Sequence, residues 1–406
     1  MSDIQQRLDD LRDAGLLRRT RLVSGPQGPR VVLDGKPVLL LCSNNYLGLA
    51  DHPRVREAAA DAAMRWGAGT GASRLVSGTM TVHRKLEERL AAFEHTERAV
   101  LFGSGYMANL GVIGALAGVT GPETVIFSDA LNHASIIDGC RLAKARTVVY
   151  DHADVDHLAT LMRQYSDKPA IVVTDSVFSM DGDVAPLAGI VRLAQRYGAR
   201  VVVDEAHATG CLGPDARGAV AEAGLEGQVD VLVGTLGKAL GSYGAYAACN
   251  EETAELLQNA ARPFIFSTAL GPPQAAAALA ALELIEEKPS RAEKLQANAD
   301  FLRDELAREG FDVSGGSTHI IPIVIGTADQ TVRVCEAALE EGVFAQAIRP
   351  PTVPPGTSRL RLAVMATHSR EELREAAHAL GRAALQAGFR PGEGMPAVAA
   401  HHTRAA

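Results

Sequence analysis

Short apolar runs alternate with amphipathic stretches through the middle of the chain. The runs are rich in Val and Ile and lie at 99–102, 124–129, 147–150, 170–176, 200–205 and 230–235. Such runs predict strands that are buried on both faces, as in a parallel sheet. Helical patterns lie between most of them, for example over 186–198. The alternation therefore predicts a doubly wound α/β domain.

A second pattern begins after an Ala-rich helical stretch that Pro289 interrupts. Ser290 and Glu293 form a Ser-x-x-Glu capping box, which predicts the start of a new helix. The strand-like runs 319–326 and 359–364 follow it. Together with a last helix they predict a small α+β domain.

Ser369 and Glu372 predict the start of the last helix and Gly388 predicts its end. Beyond it the chain is rich in Gly, Pro and Ala and is expected to be disordered. We therefore expect four parts: an N-terminal segment (1–45), a large domain (46–287), a small domain (288–390) and a disordered tail (391–406).

The composition argues against several classes of function. The chain has 406 residues, 47% of them hydrophobic and 22% charged, as in ordinary soluble globular proteins. A net charge of −8 argues against a general nucleic-acid binder, and no apolar run approaches the roughly 20 residues of a membrane span. The charged N-terminus does not resemble a signal peptide. Five scattered cysteines without a Cys-x-x-Cys favour a cytoplasmic location and predict no metal site.

Lys238 stands in an unusual place, the stretch "GTLGKALGSYG" (234–244) after a predicted strand. A nucleotide P-loop would need Gly where Leu232 stands and Ser or Thr where Ala239 stands, so that interpretation fails. Two interpretations remain. The lysine either extends from the loop to water, or it occupies a poorly solvated pocket where its neutral amine can attack an aldehyde.

The stretch "VVVDEAH" (201–207) contains a helicase-like Asp-Glu-Ala-His, but the chain lacks the P-loop that such an enzyme needs. In one interpretation, Asp204 caps the next segment. The alternative places Asp204 at the carboxyl end of a sheet strand, where ligands of open α/β folds bind. His207 follows among small residues, which let a flat ligand approach the backbone.

The stretch "GSGYMAN" (103–109) follows a predicted strand and opens a predicted helix. It fits the dinucleotide pattern Gly-x-Gly-x-x-Ala, so a nicotinamide-dependent dehydrogenase is a rival hypothesis. In either case the N–H groups at the helix N-terminus would bind a phosphate.

Two further candidates also follow predicted strands: His133 in "LNHASIIDG" and Ser179 in "TDSVFSMDGD". Each taken alone is more often a structural residue. The carboxyl ends of parallel strands share one edge of the sheet, however, so these residues are expected to meet Asp204, His207 and Lys238 there.

This set of groups matches a small aromatic phosphate with an aldehyde, and pyridoxal 5'-phosphate fits each part. The amine of Lys238 suits the aldehyde. The carboxylate of Asp204 would keep the pyridine nitrogen protonated, and the hydroxyl of Thr235 can donate to the phosphate.

Eight motifs in order then resemble the α-oxoamine synthases, which are pyridoxal-phosphate enzymes of the aspartate-aminotransferase fold (fold type I). They are "SNNYLGL" (43–49), "GASRLVSGT" (71–79), "HRKLEERLAAFE" (83–94), "SGYMAN" (104–109), "NHASIIDG" (132–139), "SVFSMDGDVAPL" (176–187), "VDEAHATGCLG" (203–213) and "GTLGKALGSYG" (234–244). The resemblance implies a large domain with a mostly parallel sheet and a small α+β domain.

The resemblance also implies roles for the matching residues. Lys238 would bind the cofactor covalently and act as base at the amino-acid Cα. His133 would stack on the cofactor ring, Asp204 would pair with its nitrogen, and His207 and Ser179 would contact its phenolic oxygen.

Gly105, Tyr106 and Thr235 would hold the phosphate. A homodimer is implied, in which Thr268 would reach the phosphate of the second subunit.

The remaining implied contacts are with substrate. Arg361 would bind the amino-acid carboxylate, with Asn44 and His133 as further contacts. Arg21 and Thr352 would contact the acyl thioester.

Within the family, the chain most resembles the members that condense L-alanine with a pimeloyl thioester in biotin biosynthesis. The acyl carrier, coenzyme A or a carrier protein, stays open. So do the related activities of glycine C-acetyltransferase (2-amino-3-ketobutyrate CoA ligase), 5-aminolevulinate synthase and serine palmitoyltransferase.

Overall fold

The computed structural model of the chain describes residues 2–392. We expected a disordered tail over 391–406, and residues 393–406 of it lie outside the described range. In chain order the strands are β1 (Val23–Ser24), β2 (Arg30–Leu33), β3 (Lys36–Leu40), β4 (Arg98–Phe102), β5 (Val125–Asp129), β6 (Arg146–Tyr150), β7 (Ala170–Asp175), β8 (Arg200–Asp204), β9 (Val231–Thr235), β10 (Ala245–Cys249), β11 (Ile320–Gly326), β12 (Val343–Phe344), β13 (Gln346–Ile348) and β14 (Ser358–Ala363).

The α-helices are α1 (Asp3–Asp13), α2 (Pro53–Trp66), α3 (Thr81–Phe93), α4 (Gly105–Gly118), α5 (Ala134–Leu142), α6 (Val155–Gln164), α7 (Leu187–Tyr197), α8 (Ala219–Glu222), α9 (Glu251–Ala260), α10 (Arg262–Ile265), α11 (Pro272–Glu287), α12 (Ser290–Arg308), α13 (Ala328–Glu340) and α14 (Arg370–Gln386). Within residues 2–392, none of them combines the length and the apolar character that a membrane span requires.

The chain divides into two compact units. Within the described residues, the smaller unit, unit 1, comprises residues 2–44, 180–183 and 294–392, and the larger, unit 2, comprises residues 45–179 and 184–293. Unit 1 therefore draws on three separate parts of the sequence.

Unit 2 is built on a seven-stranded sheet with the order β4-β10-β9-β8-β7-β5-β6. The neighbours from β9 to β6 run parallel, and β10 runs antiparallel to both β4 and β9. The mostly parallel α/β sheet expected from the sequence is thus confirmed. The sequence did not predict β10, because its residues are Ala-rich and Ala has little preference for strands.

Small residues bring the helices of unit 2 close to one another and to the sheet. Helix α4 is apolar on all sides and belongs to the core together with the central strands. A Cβ on Gly111 would lie 2.9 Å from the Phe102 ring, and one on Gly139 of α5 would lie 2.9 Å from Ile113. This close packing fixes α4, and with it the turn that opens the helix, against the sheet.

Unit 1 contains two small sheets, β1-β2-β3-β12 and β11-β14-β13. The α+β character expected from the sequence is present, and the predicted Ser369–Glu372 capping box starts α14. Three elements were not predicted between β11 and β14. Two of them, β12 and β13, have two and three residues, too few for an alternating pattern. The third, α13, begins at Thr327, whose capping role was not recognised in the sequence.

A four-residue loop, 180–183, belongs to unit 1 although it lies between two parts of unit 2. Asp181 pairs with Arg359 of β14, and the Thr318 hydroxyl donates to the Gly182 carbonyl at 2.9 Å. Gly182 has φ +69°, and a Cβ there would lie 2.2 Å from the Ile320 carbonyl oxygen. Only glycine suits this left-handed and crowded position.

We predict that Gly182→Ala destabilises the protein more than Gly198→Ala. Both glycines are left-handed, but nothing lies within 4 Å of a Cβ on Gly198. Gly198→Ala should cost roughly 1–2 kcal/mol from backbone strain, and Gly182→Ala a further ~1–3 kcal/mol from the clash. Urea unfolding of both variants measures the difference, and equal losses would refute the close packing at Gly182.

Candidate active site

Lys238 lies in a tight loop that follows β9. The loop is closed by backbone bonds from Leu236 N–H to the Gly244 carbonyl (2.9 Å) and from Gly241 N–H to the Lys238 carbonyl (2.9 Å). The Lys238 Nζ atom lies 2.9 Å from His207 Nε2. Its side chain is half-buried, so the amine does not simply extend to bulk water.

The His207 ring is held from its other side by Tyr46. The Tyr46 Oη atom lies 2.6 Å from His207 Nδ1, and Tyr46 is completely buried. A neutral histidine has one donor and one acceptor nitrogen. If Tyr46 donates to Nδ1, then Nε2 donates to a neutral Lys238 amine, and in the opposite tautomer a Lys238 ammonium donates to Nε2. Tyr46, His207 and Lys238 therefore form a chain in which protons are coupled.

Asp204 lies at the end of β8 and is buried, so its carboxylate requires hydrogen-bond donors. Its Oδ1 accepts the Ala206 N–H at 2.8 Å. Its Oδ2 accepts an N–H from the Asn109 amide at 2.7 Å. Asn109 comes from α4, the helix that the phosphate-binding pattern opens.

A second set of bonds links Asn109 to His133. The Asn109 amide also donates to the Ser135 hydroxyl at 2.9 Å, and that hydroxyl lies 2.7 Å from His133 Nδ1. The His133 backbone N–H donates to Asp175 Oδ2 at 2.7 Å. His133 is thus fixed both through its ring and through its backbone.

Burial shifts the pKa values of two titratable residues in this region. Burial lowers the pKa of His133, as does the nearby Lys238, while Asp204 opposes the shift. Burial and the neighbouring Asp204 raise the pKa of Asp175 well above its usual range. His133 therefore presents a neutral ring, and Asp175 holds a proton more tightly than an exposed aspartate does.

The turn between β4 and α4 offers N–H groups. Ser104 caps the helix, accepting the Met107 N–H on its hydroxyl at 3.2 Å. The first helical bond runs from Ala108 N–H to the Ser104 carbonyl, so the N–H groups of Gly105 and Tyr106 precede it. The Tyr106 hydroxyl donates to Asp138, which directs the Tyr106 side chain along the helix surface.

The other predicted residues of unit 2 surround the same edge of the sheet or lie at its surface. Thr235 ends β9, and its hydroxyl donates to the Gly244 carbonyl at 3.2 Å. Ser179 follows β7 and is half-buried. Thr268 is exposed and its backbone pairs with Ser73.

Apart from His133, the predicted substrate residues lie in unit 1. Arg361 on β14 is buried and donates to Asn44 Oδ1 at 3.3 Å. Arg21 pairs with Glu336 and with Asp34, at 3.4 Å from the latter. Thr352 is exposed in the loop before β14. Within unit 1, Arg361 and Asn44 are thus together and Arg21 has ion-pair partners of its own.

Four residues of this region were not assigned a role from the sequence: Tyr46, Asn109, Ser135 and Asp175. Tyr46 and Asn109 lie within motifs that were recognised, but their partners are distant in sequence. A polar Asn109 in an otherwise apolar helix and a buried Asp175 at a strand end were the available signals. In the described part of the chain, no cluster of His, Cys, Asp and Glu has the arrangement of a metal site.

Comparisons with known proteins agree with this geometry. Residues 36–380 match the family model for class I and II aminotransferases. The chain is 52% identical over 383 residues to 8-amino-7-oxononanoate synthase of Citrifermentans bemidjiense, covering 93% of this chain and 97% of the relative. It is 50% identical over 385 residues to the synthase of that name from Geobacter sulfurreducens, covering 94% and 98%.

Solved structures give the same fold. A serine palmitoyltransferase from S. paucimobilis with bound pyridoxal phosphate and myriocin has a TM-score of 0.90 at 32% identity, covering 95% of this chain and 97% of that one. An 8-amino-7-oxononanoate synthase from Francisella tularensis has a TM-score of 0.74 at 26% identity, covering 86% and 98%.

We predict that Asn109→Ala lowers the free energy of unfolding by roughly 1–3 kcal/mol, because it removes the amide that donates to Oδ2 of the buried Asp204 and to the Ser135 hydroxyl. Asn259→Ala on the surface of α9 is the matched control and should change it by less than about 0.5 kcal/mol. Denaturant titration measures both, and an unchanged midpoint for Asn109→Ala would show that Asp204 does not depend on this amide.

Proposed function

Because the chain belongs to the α-oxoamine synthases within the class I and II aminotransferase family, we propose that it condenses L-alanine with a pimeloyl thioester. The products would be 8-amino-7-oxononanoate, CO2 and the free thiol of the carrier. The observation that carries the proposal is the near full-length likeness to synthases of that name. We propose a homodimer that acts in the cytoplasm.

Pyridoxal phosphate fits the groups of unit 2. Lys238 offers an amine for the aldehyde, Asp204 a buried carboxylate for the ring nitrogen, and the turn at Gly105 and Tyr106 offers N–H groups for the phosphate. We propose that His133 stacks on the ring. When bound, the cofactor supplies an aldehyde and a positively charged ring that accepts electrons from the amino-acid Cα.

The remaining proposed contacts complete the cofactor site. Ser179 and His207 would donate to the phenolic oxygen, and Thr235 to the phosphate. Thr268 would reach the phosphate of the second subunit.

The proposed dimer is supported by exposed apolar side chains beside Thr268. Leu75, Val76 and Phe266 are 55%, 79% and 69% exposed. They lie on the two segments that the Ser73–Thr268 pairing joins. Neighbouring exposed apolar side chains of this size are typical of an association surface.

In the reaction, Lys238 would remove the Cα proton of alanine. Nε2 of His207 lies 2.9 Å from Lys238 Nζ, so the Tyr46–His207 pair can exchange protons with the amine before and after this step. The Cα electron pair then attacks the thioester carbonyl, forming the new C–C bond as the thiol leaves. Loss of the alanine carboxyl as CO2 returns the electron pair to Cα, which is protonated again.

Substrate contacts are proposed from the resemblance. Arg361, buried beside Asn44, would bind the alanine carboxylate, with His133 as a further contact. Arg21 and Thr352 would contact the acyl thioester, carried by coenzyme A or by a carrier protein.

A second candidate, serine palmitoyltransferase, is favoured by the higher TM-score of that enzyme. Backbone similarity reports the shared fold, however, whereas substrate choice depends on side chains. The side chains agree best with the synthases, at 52% and 50% identity. We therefore place the alanine and pimeloyl reaction first.

We predict that thiol release is fastest with L-alanine and a pimeloyl thioester. The assay pairs alanine, glycine and serine with pimeloyl-, acetyl- and palmitoyl-CoA and with a pimeloyl carrier protein. Lys238→Ala should abolish turnover and the visible absorbance of the bound cofactor, and Lys85→Ala, an exposed lysine on α3, is the matched control. Faster turnover with glycine and acetyl-CoA or with serine and palmitoyl-CoA would reject the assignment.

We predict that Tyr46→Phe lowers turnover by about tenfold to a hundredfold, because a misplaced His207 no longer aligns with Lys238. The pH midpoint of the cofactor absorbance should shift as well, since the variant removes one of the two hydrogen-bond partners of the His207 ring. Tyr197→Phe on α7 is the control and should change neither quantity. Unaltered turnover and an unaltered midpoint in Tyr46→Phe would exclude the hydroxyl from the proton chain.

A further inference from the structure

Glu94 is a buried acid outside the site described above. It directly follows α3, at the end of the motif "HRKLEERLAAFE", and only 4% of it is exposed. Its carboxyl is hydrogen-bonded to the hydroxyl of Tyr246 on β10. An isolated carboxylate is costly in such a place, so its charge state matters to everything that it contacts.

Tyr246 connects Glu94 to the segment that carries His207. Its hydroxyl lies 3.3 Å from the Thr209 hydroxyl, and all three side chains are buried. Thr209 follows His207 by two residues and its backbone N–H donates to the Glu205 carbonyl at 2.8 Å. Through Thr209, the Tyr246 hydroxyl therefore contacts the segment 205–210, which carries His207.

The Tyr246 ring can take this path only because Gly234 lies opposite it. The two residues are register partners on β10 and β9. A Cβ on Gly234 would lie 2.2 Å from the Tyr246 ring. The hydroxyl thus passes across β9, the strand that leads directly to Lys238.

The groups around the Glu94 carboxyl are Tyr246, Glu205, Arg217, Glu226 and His95. Burial, together with Glu205 and Glu226, raises the pKa of Glu94 to about 8 against the opposing effects of Tyr246 and Arg217. Burial also raises the pKa of Glu205 to about 7. Arg217 is paired with Glu226, and His95 lies 3.0 Å from Glu226.

Protons can reach Glu94 from solvent. It lines a cavity of about 320 Å³ whose wall includes His95, Glu97, Glu226 and Asp230. Glu97 and His95 are exposed residues, so this cavity joins the buried carboxyl to the surface of unit 2.

We propose that Glu94 is a positioning residue whose carboxyl, through Tyr246 and Thr209, holds the segment that carries His207 and so favours cofactor binding. The Tyr246 hydroxyl donates to Glu94 and can accept from Thr209, so the three side chains form one chain. Ionised Glu94 keeps these bonds but places a negative charge in a buried site near Glu205, which destabilises the arrangement. The proposal rests on the cofactor site of the proposed function.

The sign of the pH effect follows. The pKa of Glu94 in the folded chain lies above its usual value, so the stability tied to its proton is fully present only below the usual carboxyl pKa. It decreases as pH rises above that value and is lost once pH passes about 8. With a pKa of about 8, Glu94 is protonated in nearly all molecules at pH 7 and in about one in ten at pH 9. If only these molecules bind tightly, the dissociation constant rises by up to about tenfold.

The test compares the native chain with Glu94→Gln, whose neutral amide both donates and accepts at any pH. Cofactor affinity by fluorescence titration and melting temperature without cofactor are measured from pH 6.5 to 9.5. We expect equal cofactor affinity of the two proteins at pH 6.5 to 7 and a weaker affinity of the native chain at pH 9. The melting temperature of the native chain should fall relative to that of Glu94→Gln as pH rises to about 8 and change little beyond it.

Two further variants complete the test. Glu88→Gln, exposed on the same helix, should follow the native chain at every pH. Tyr246→Phe keeps the ring over Gly234 but removes the hydroxyl, and should weaken cofactor binding already at pH 7. Identical pH curves for the native chain and Glu94→Gln, or full affinity in Tyr246→Phe, would overturn the proposal. Both readouts are independent of the acyl substrate, so a failed assay for 8-amino-7-oxononanoate would leave them interpretable.

Discussion

A buried carboxylate at the end of β8 is the constraint on which the rest of the site depends. Asp204 is kept there by two donors, one from its own turn and one from Asn109 of α4. The Asn109 amide reaches both Asp204 and Ser135, and Ser135 in turn holds His133. Fixing one charge in an apolar sheet edge thus fixes the helix that carries the phosphate-binding turn and the histidine of the neighbouring strand.

The same edge holds more acid than it can ionise at once. Asp175 and Glu205 lie beside Asp204 and both have a raised pKa, to about 7 for Glu205. Neighbouring carboxyls in a poorly solvated place separate into ionised and protonated members. Asp204 accepts hydrogen bonds on both of its oxygens and lies at the strand end where we propose that the cationic ring binds.

Much of the sheet was predictable because each buried parallel strand has an uninterrupted run of Val and Ile. The rule that strand ends share an edge then grouped His133, Asp204, His207 and Lys238, and the structure places Lys238 and His207 in contact. Tyr46 was not predictable in this way, because its partner is 161 residues away and no local pattern records such a contact. The sequence also did not predict strand β10 or the assignment of the loop 180–183 to unit 1. Contacts with neighbouring elements, more than intrinsic preference, determine the conformation of both.

Strand β10 also acts as a spacer. It separates β4 from β9, so the phosphate-binding turn and the lysine loop stand two strand spacings apart, about 10 Å, at one edge of the sheet. Direct pairing of β4 with β9 would halve that distance. The reversed strand therefore sets a length requirement: a ligand held by both loops must extend across the end of β10.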